Sequence, residues 1–214
     1  MVYENIKKNG VEKAKLCIKN STVQSCDLEA YRLNCCELQN CKLADSHISR
    51  SILDGGKIEK CDIINSTLEE SGLWSLEMQD SKFQDVIFVF QNFTNITMKN
   101  NYFKIQSEGE FFVEDSVLEC NDFSKCVLPM LTIRKSNLRS NNFCDCKIDE
   151  GEIEYTIFKS NNFANAEFTK SYFKRCTFEH MDFRNTKFEN VEFIECKFED
   201  CLYTEEQADM FGLI

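Results

Sequence analysis

Residues 156–200 read TIFKS NNFAN AEFTK SYFKR CTFEH MDFRN TKFEN VEFIE CKFED, nine consecutive blocks of five with phenylalanine third in every block. Followed outward, the same phase runs from Ile18 to Tyr203. Of the 38 residues at this spacing 37 are apolar, against 43% for the 214-residue chain as a whole, and the exception is Glu108. Neither the 3.6-residue period of a helix nor the two-residue period of a strand can keep phase for so long, so the block of five is itself the architectural unit. The chain is expected to be a solenoid in unbroken register.

The residue two places earlier in each block is mostly small, as at Ser21, Cys26, Cys36, Cys41, Ser46, Ser51 and Gly56. Two inward residues spaced by two are what a short extended segment provides, because alternate side chains of a strand share a face. The other three residues of each block are mainly Asp, Glu, Lys, Asn, Ser and Thr, which places them outward or at a corner. A longer period lies beneath. Asn101, Asn121, Asn141 and Asn161 all fall on the small inward position, and Phe83, Phe103, Phe123, Phe143, Phe163 and Phe183 on the large one, each series at steps of twenty. Four blocks therefore close one turn, like residues stack from coil to coil, and the asparagines can exchange side-chain amide hydrogen bonds.

With Ala166-Glu167-Phe168, Cys196-Lys197-Phe198 and Asn121-Asp122-Phe123 in this phase, the chain resembles the pentapeptide-repeat family, whose consensus is A-(D/N)-L-x-x. The resemblance covers roughly residues 16 to 203 and implies an all-β fold, a right-handed quadrilateral parallel β-helix of about nine coils. At the strand spacing of about 4.8 Å that is a rod on the order of 45 Å long. Tyr31, Leu76, Gln91, Gln106, Phe111 and Leu131 are large for the small inward position, which makes the middle third the irregular part.

A continuous repeat makes one quasi-linear domain in which each coil touches only its neighbours. One proline, seven glycines and no apolar run of about eighteen residues exclude a linker and a membrane-spanning helix. Residues 1–15 are expected to cap one end. At the other, Thr204-Glu205-Glu206-Gln207 reads as a capping box opening a short helix within 204–214, with Met210, Phe211, Leu213 and Ile214 apolar. This helix either covers the last coil or also joins two chains into a homodimer. Nine of the thirteen cysteines (Cys26, Cys36, Cys41, Cys61, Cys126, Cys146, Cys176, Cys196 and Cys201) lie on the small inward position, where a thiol is a compact apolar filler. Their odd total and the lack of an apolar leader in residues 1–8 point to a reducing cytoplasm. Cys35, Cys36 and Cys41, and Cys144 with Cys146, alternate outward and inward, which speaks against a metal site.

His47 and His180 sit on outward positions six to seven coils apart, and no phosphate loop, metalloprotease helix or nucleophile elbow is present. The expected function is non-catalytic, with no cofactor and no metal. A net charge of −11 argues against direct binding of nucleic acid. The expected role is a protein-binding scaffold. Its most specific form is implied by the family resemblance: some pentapeptide-repeat proteins imitate the width and charge of duplex DNA and protect type II topoisomerases from quinolones. The tail Thr204-x-Glu206-Gln207-Ala208 with Gly212-Leu213-Ile214 is similar to the dimerising end of that branch. The outward ladders Glu37, Lys57, Glu77, Thr97, Val117 and Lys42, Asp62, Lys82, Tyr102, Asp122 are of mixed sign, however, and the twenty-residue step from Asn101 to Asn121 leaves no room for a protruding loop around Glu108. A structural spacer or an adaptor for another partner is the alternative. The candidate partner surface is an outward apolar group of Ile87, Val89, Phe90, Val127 and Met130, edged by Ile105 and Phe112; either it is exposed, or the irregular coil folds several of these side chains inward.

Overall fold

Five residues per side suffice for a solenoid when three form a strand and the fifth turns the corner. The computed structural model describes residues 72–89, 91–105 and 110–214, the side chains of 87–89 and 91 excepted. Before residue 72 it describes chiefly the backbone of the strands from Val2–Glu4 to Thr67–Glu69. Nearly every strand is three residues long, and the pairings are parallel, with partners twenty residues apart at all but one position, as in Lys57↔Glu77, Met98↔Leu118 and Phe178↔Phe198. Corners carry a positive φ, 47° to 62°, at every fifth residue with few gaps from Lys60 to Asp200. A non-glycine residue there is disfavoured by roughly 1–2 kcal/mol, which explains the Asn, Asp and Ser at many of these positions. What holds them is the next coil: the amide of Asn100 donates to the Glu119 carbonyl (3.1 Å), that of Met130 to Asp149 (2.7 Å) and that of Tyr155 to Lys174 (2.9 Å).

The strands form four faces. The longest stacks ten strands from Ile18–Lys19 to Lys197–Glu199, and the one before it in each coil stacks nine from Arg32–Asn34 to Glu192–Ile194. The other two share the long strand Lys82–Val89, which runs through the corner between them. One continues through Tyr102–Ile105 and single bridges such as Asp122↔Asn142; the other resumes as Lys147–Asp149, Glu167–Thr169 and Lys187–Glu189, joined to Val127 by one bridge. The solenoid is thus as expected. Its continuously described part makes about six coils, and the expected nine include residues 16–71, described as strands only. Val2–Glu4, within the segment expected to cap the first coil, pairs in register with Thr22–Gln24 as a further rung.

The interior is a set of columns. Phe83, Phe103, Phe123 and Phe143 stack with centroids 4.5 to 5.0 Å apart and planes within 8° of parallel. Phe158, Phe178 and Phe198 form a second column (5.2 and 5.0 Å) and Phe173 and Phe193 a third (4.9 Å). The asparagine ladder is present as its spacing predicts. Nδ2 of Asn101, Asn121 and Asn141 donates to Oδ1 of the next asparagine, each at 3.0 Å, and also to a main-chain carbonyl 23 residues back. The same Oδ1 accepts the backbone amide of the asparagine above, so no buried polar group of the amide is left over. A second ladder, unforeseen in the sequence, is made by hydroxyls: Ser116, Ser136 and Thr156 each accept the amide of the coil above and donate to a carbonyl two residues back. Cys126, Cys146, Cys196 and Cys201 donate their thiols to the carbonyls of Phe103, Phe123, Phe173 and Phe178. Size is therefore only part of why a thiol suits this position.

One expectation fails. The register is not unbroken: Val86 stands opposite Ile105 rather than Gln106, with a shift after Gln84. Ile105 is 2% exposed and fills the inward position, so it belongs to the core and not to the rim of a surface patch. The ladder resumes with Gln91 opposite Phe111. The step from Phe103 to Ile105 is consequently two residues instead of three, and the residue lost there is regained in the step from Ile105 to Phe111, which is six instead of five. A net twenty from Asn101 to Asn121 conceals this slip. Gln106 and Glu108 themselves lie outside the described residues. Leu76, Phe111 and Leu131, large for their position, are all buried.

Candidate functional site

Two surfaces stand out, and the first is the C-terminal end. A solenoid that simply stopped would expose its core and its unpaired backbone. Here the helix Glu205–Met210 closes it, opened by the expected capping box: Gln207 N donates to Thr204 Oγ1 (3.2 Å) and Thr204 N to Gln207 Oε1 (3.0 Å). Nε2 of the same glutamine donates to the carbonyls of Phe183 (2.7 Å) and Thr186 (3.2 Å), which have no further coil to accept from. Phe211, 6% exposed, lies across the core with its ring stacked on Phe198 (4.3 Å) and edge-on to Phe193 (4.6 Å), Phe183 (5.4 Å) and Phe188 (6.0 Å). One ring thus touches a ring from each of the four faces. The cover is incomplete, because Phe188, Phe193, Phe198 and Met210 remain half-buried. Beside them Leu202, Tyr203, Leu213 and Ile214 are exposed, Ile214 at 77%. Of the four tail residues singled out in the sequence, Phe211 and Met210 pack inward and Leu213 and Ile214 point away.

The second surface lies mid-rod. Met130 is 40% exposed at a left-handed corner, and Val127, Pro129 and Phe112 are half-buried around it. Ile87 and Val89 lie in the corner-turning strand, opposite Thr67 and Glu69; their side chains and the whole of Phe90 are outside the described residues. Arg134 passes over Phe112 (5.9 Å from the ring centroid) and reaches Glu152 (3.3 Å) and Glu154 (3.4 Å). Burial, with these two carboxylates close by, pushes the Tyr172 hydroxyl above its ordinary pKa.

Several charges elsewhere are paired from coil to coil. Lys99 meets Glu119 (3.3 Å), Lys159 meets Glu179 (2.6 Å), Arg175 meets Glu195 (2.5 Å), and Glu167 lies between Lys187 (2.6 Å) and Lys147 (3.9 Å). No face among the described residues is a continuous acidic stripe. At the register slip an open cleft of about 790 Å³ is lined by Gln84, Asp85, Tyr102, Lys104, Ser124 and Lys125 among others. Its Asp85 is held below the usual carboxylate range by hydrogen bonds from Gln84 and Lys104. Among the described residues Asp85 is the one carboxylate in its lining. His180 is exposed, 3.6 Å from Asp200, and the side chain of His47 is outside the described residues. Cys144 is half-buried on the outer surface while Cys146 is fully buried and pushed far above a thiol's ordinary pKa by its neighbour Cys126 and by burial. These two do not converge on one point. Cys35, Cys36 and Cys41 are outside the described residues.

Residues 163–202 match the family model of pentapeptide repeats. Among solved structures the chain is similar to trypsin-treated QnrB1, a plasmid-mediated fluoroquinolone resistance protein, at 12% identity over 93% of this chain and 96% of the other, with a TM-score of 0.62. A weaker likeness, TM-score 0.40 at 9% identity over 87% and 86%, is to HetL, a pentapeptide-repeat protein involved in heterocyst differentiation regulation in the cyanobacterium Nostoc. No curated protein sequence matches the chain. At 12% identity the likeness to QnrB1 speaks for the fold alone.

Proposed function

We propose that this chain, a solenoid with pentapeptide repeats, works by binding another protein on its surface. The observation that carries this reading is the contrast between interior and exterior. The core is filled by stacked rings and hydrogen-bonded ladders, whereas Met130 mid-rod and Leu202, Leu213 and Ile214 at the end leave apolar surface in water. Such surface on a soluble rod is best explained by a partner. The tail residues suit a second copy of this chain docking end to end, which would cover the half-buried Phe188, Phe193 and Phe198. The mid-rod group, around Met130 and Val127, suits a different protein. A chain acting in this way needs no cofactor, and a reduced compartment such as the cytoplasm suits its buried thiols.

A type II topoisomerase is the partner to test first. The net charge of −11 and the fold shared with a quinolone-resistance protein favour it; the pairing of acids with bases from coil to coil weighs against literal imitation of duplex charge. The test is DNA gyrase supercoiling, with and without a quinolone, titrated with the purified chain. Inhibition, or rescue from the drug, that is lost in Met130→Asp supports a topoisomerase partner. An unchanged supercoiling rate at all concentrations removes that enzyme and leaves an adaptor for another protein.

A further inference from the structure

We propose that Cys196 and Cys176 are a hydroperoxide-sensitive dithiol, which oxidation closes into a disulfide between the last two coils. The placement follows from the repeat. Both residues hold the small inward position on successive turns. Their successors Thr177 and Lys197 are paired in register, and the Lys197 amide donates to the Cys176 carbonyl at 2.9 Å. The two α-carbons are therefore about one strand spacing apart, ~4.8 Å, inside the roughly 4.4–6.8 Å that a disulfide spans. Each thiol donates to the main-chain carbonyl 23 residues back, Cys196 to Phe173 (3.2 Å) and Cys176 to Ile153 (3.5 Å), so the two sulfurs repeat each other's position one coil apart. To form the bond the β-carbons must approach by under about 1 Å from the strand spacing. The last coil can yield that much, because its strands Glu192–Ile194 and Lys197–Glu199 each end a sheet and are paired on one side only.

A thiol that senses peroxide needs access, a depressed pKa and a second thiol to resolve its oxidised form. Four thiols among the described residues reach solvent: Cys120 is exposed, and Cys144, Cys196 and Cys201 are half-buried. One turn away from Cys120 stand Asn100 and Ser140, from Cys144 Ser124 and Ala164, and from Cys201 Met181; Cys196 alone has a cysteine behind it. The neighbouring thiol is the chief cause of two opposite shifts, drawing Cys196 below the ordinary thiol pKa and pushing the buried Cys176 above it. Burial raises Cys144 and Cys201 instead. The Cys196 thiolate attacks one oxygen of hydrogen peroxide, the O–O bond breaks, and the hydroxide that leaves takes the proton Cys196 released, leaving a sulfenic acid. The Cys176 sulfur then attacks the Cys196 sulfur, the S–OH bond breaks, and the hydroxide departs as water with the Cys176 proton. Two thiols and one peroxide thus give one disulfide and two waters. Cys126 and Cys146 supply an internal control. They are stacked in the same way, with the Lys147 amide on the Cys126 carbonyl at 3.0 Å, but neither thiol is exposed at all.

The test treats the reduced full chain with hydrogen peroxide, alkylates the thiols that remain and maps the peptides by mass spectrometry. The expected result is a Cys176–Cys196 disulfide as the main link within the chain, with Cys126 and Cys146 recovered as thiols and the link reversed by dithiothreitol. In Cys176→Ser, shown by circular dichroism to be folded, Cys196 should instead be trapped by dimedone as a stranded sulfenic acid. Recovery of both Cys176 and Cys196 as thiols after peroxide would overturn the proposal, and the wild-type map decides this even if the variant does not fold. So would Cys196 carried on to sulfinic acid while Cys176 stays a thiol. A Cys126–Cys146 link formed as fast as the other would overturn it too, since general loss of structure, and not the accessible pair, would then choose the site.

Discussion

The amide of Asn141 shows how much one side chain does in this molecule. Its Nδ2 donates to Asn161 Oδ1 and to the Leu118 carbonyl, and its Oδ1 accepts from Asn121 twice, all within a core where it is 1% exposed. Asn141→Ala is expected to cost about 1–3 kcal/mol, because the partners stay buried without a bond. Asn141→Asp should cost more, since an oxygen would then face the Asn161 Oδ1 and the Leu118 carbonyl; a thermal melt that ranks Asp above Ala contradicts the ladder. Phe143→Asp, which puts a charge into a column of rings, is expected to cost several kcal/mol. At the surface the opposite sign holds. Met130 is a bulky residue at φ 52°, and Met130→Asn should raise stability by up to about 1 kcal/mol by relieving a corner that asparagine tolerates, while weakening any partner that grips the methionine. Such gains in stability with loss of binding, read in one denaturation series and one affinity measurement, distinguish a functional corner from a merely strained one. The asparagines were legible in the sequence because an amide at steps of twenty has a single geometric consequence. Ser116, Ser136 and Thr156 follow the same steps, yet serine and threonine also suit any outward position, so their ladder passed unread.

At the scale of elements, the cap and the ion-paired coils make separate predictions. Phe211 touches rings of all four faces, and Phe211→Ala is expected to remove about 3 kcal/mol. Exchange of the amides in the last coil should rise more than that of the first described coils; uniform loss would mean that the ring is not a terminal seal. Glu167, Glu179, Asp182 and Glu195 are held below the ordinary carboxylate range, chiefly by hydrogen bonds from Lys187, Lys159, Arg184 and Arg175. A carboxylate with a depressed folded pKa contributes stability above its unfolded value and loses it as the pH falls through the folded one. The melting temperature should therefore change little between about pH 5 and 7 and decline below about pH 4, the effect being modest because these groups are exposed and screened by salt. A rise in melting temperature on acidification would contradict the pairing. The element that could not be read was the slip at Ile105. Counting in fives is blind to a residue lost in one step and regained in the next, although the apolar Ile105 beside Gln106 was its visible trace.

The whole molecule is a rod with a densely packed core and apolar side chains left exposed mid-rod and at its C-terminal end. The solenoid could be read from its first inward residues because repetition records stacking physics dozens of times over. The proposed partner could not, because exposed apolar residues such as Met130, Leu213 and Ile214 each stand once in the sequence and follow no period. The most direct test is capture of soluble proteins on the immobilised full chain, compared with Met130→Asp combined with Leu213→Asp, after melts have shown that both forms are folded. The account predicts at least one protein, a second copy of this chain included, that the wild type retains and the doubly substituted rod releases. An identical set of retained proteins on both surfaces would contradict it.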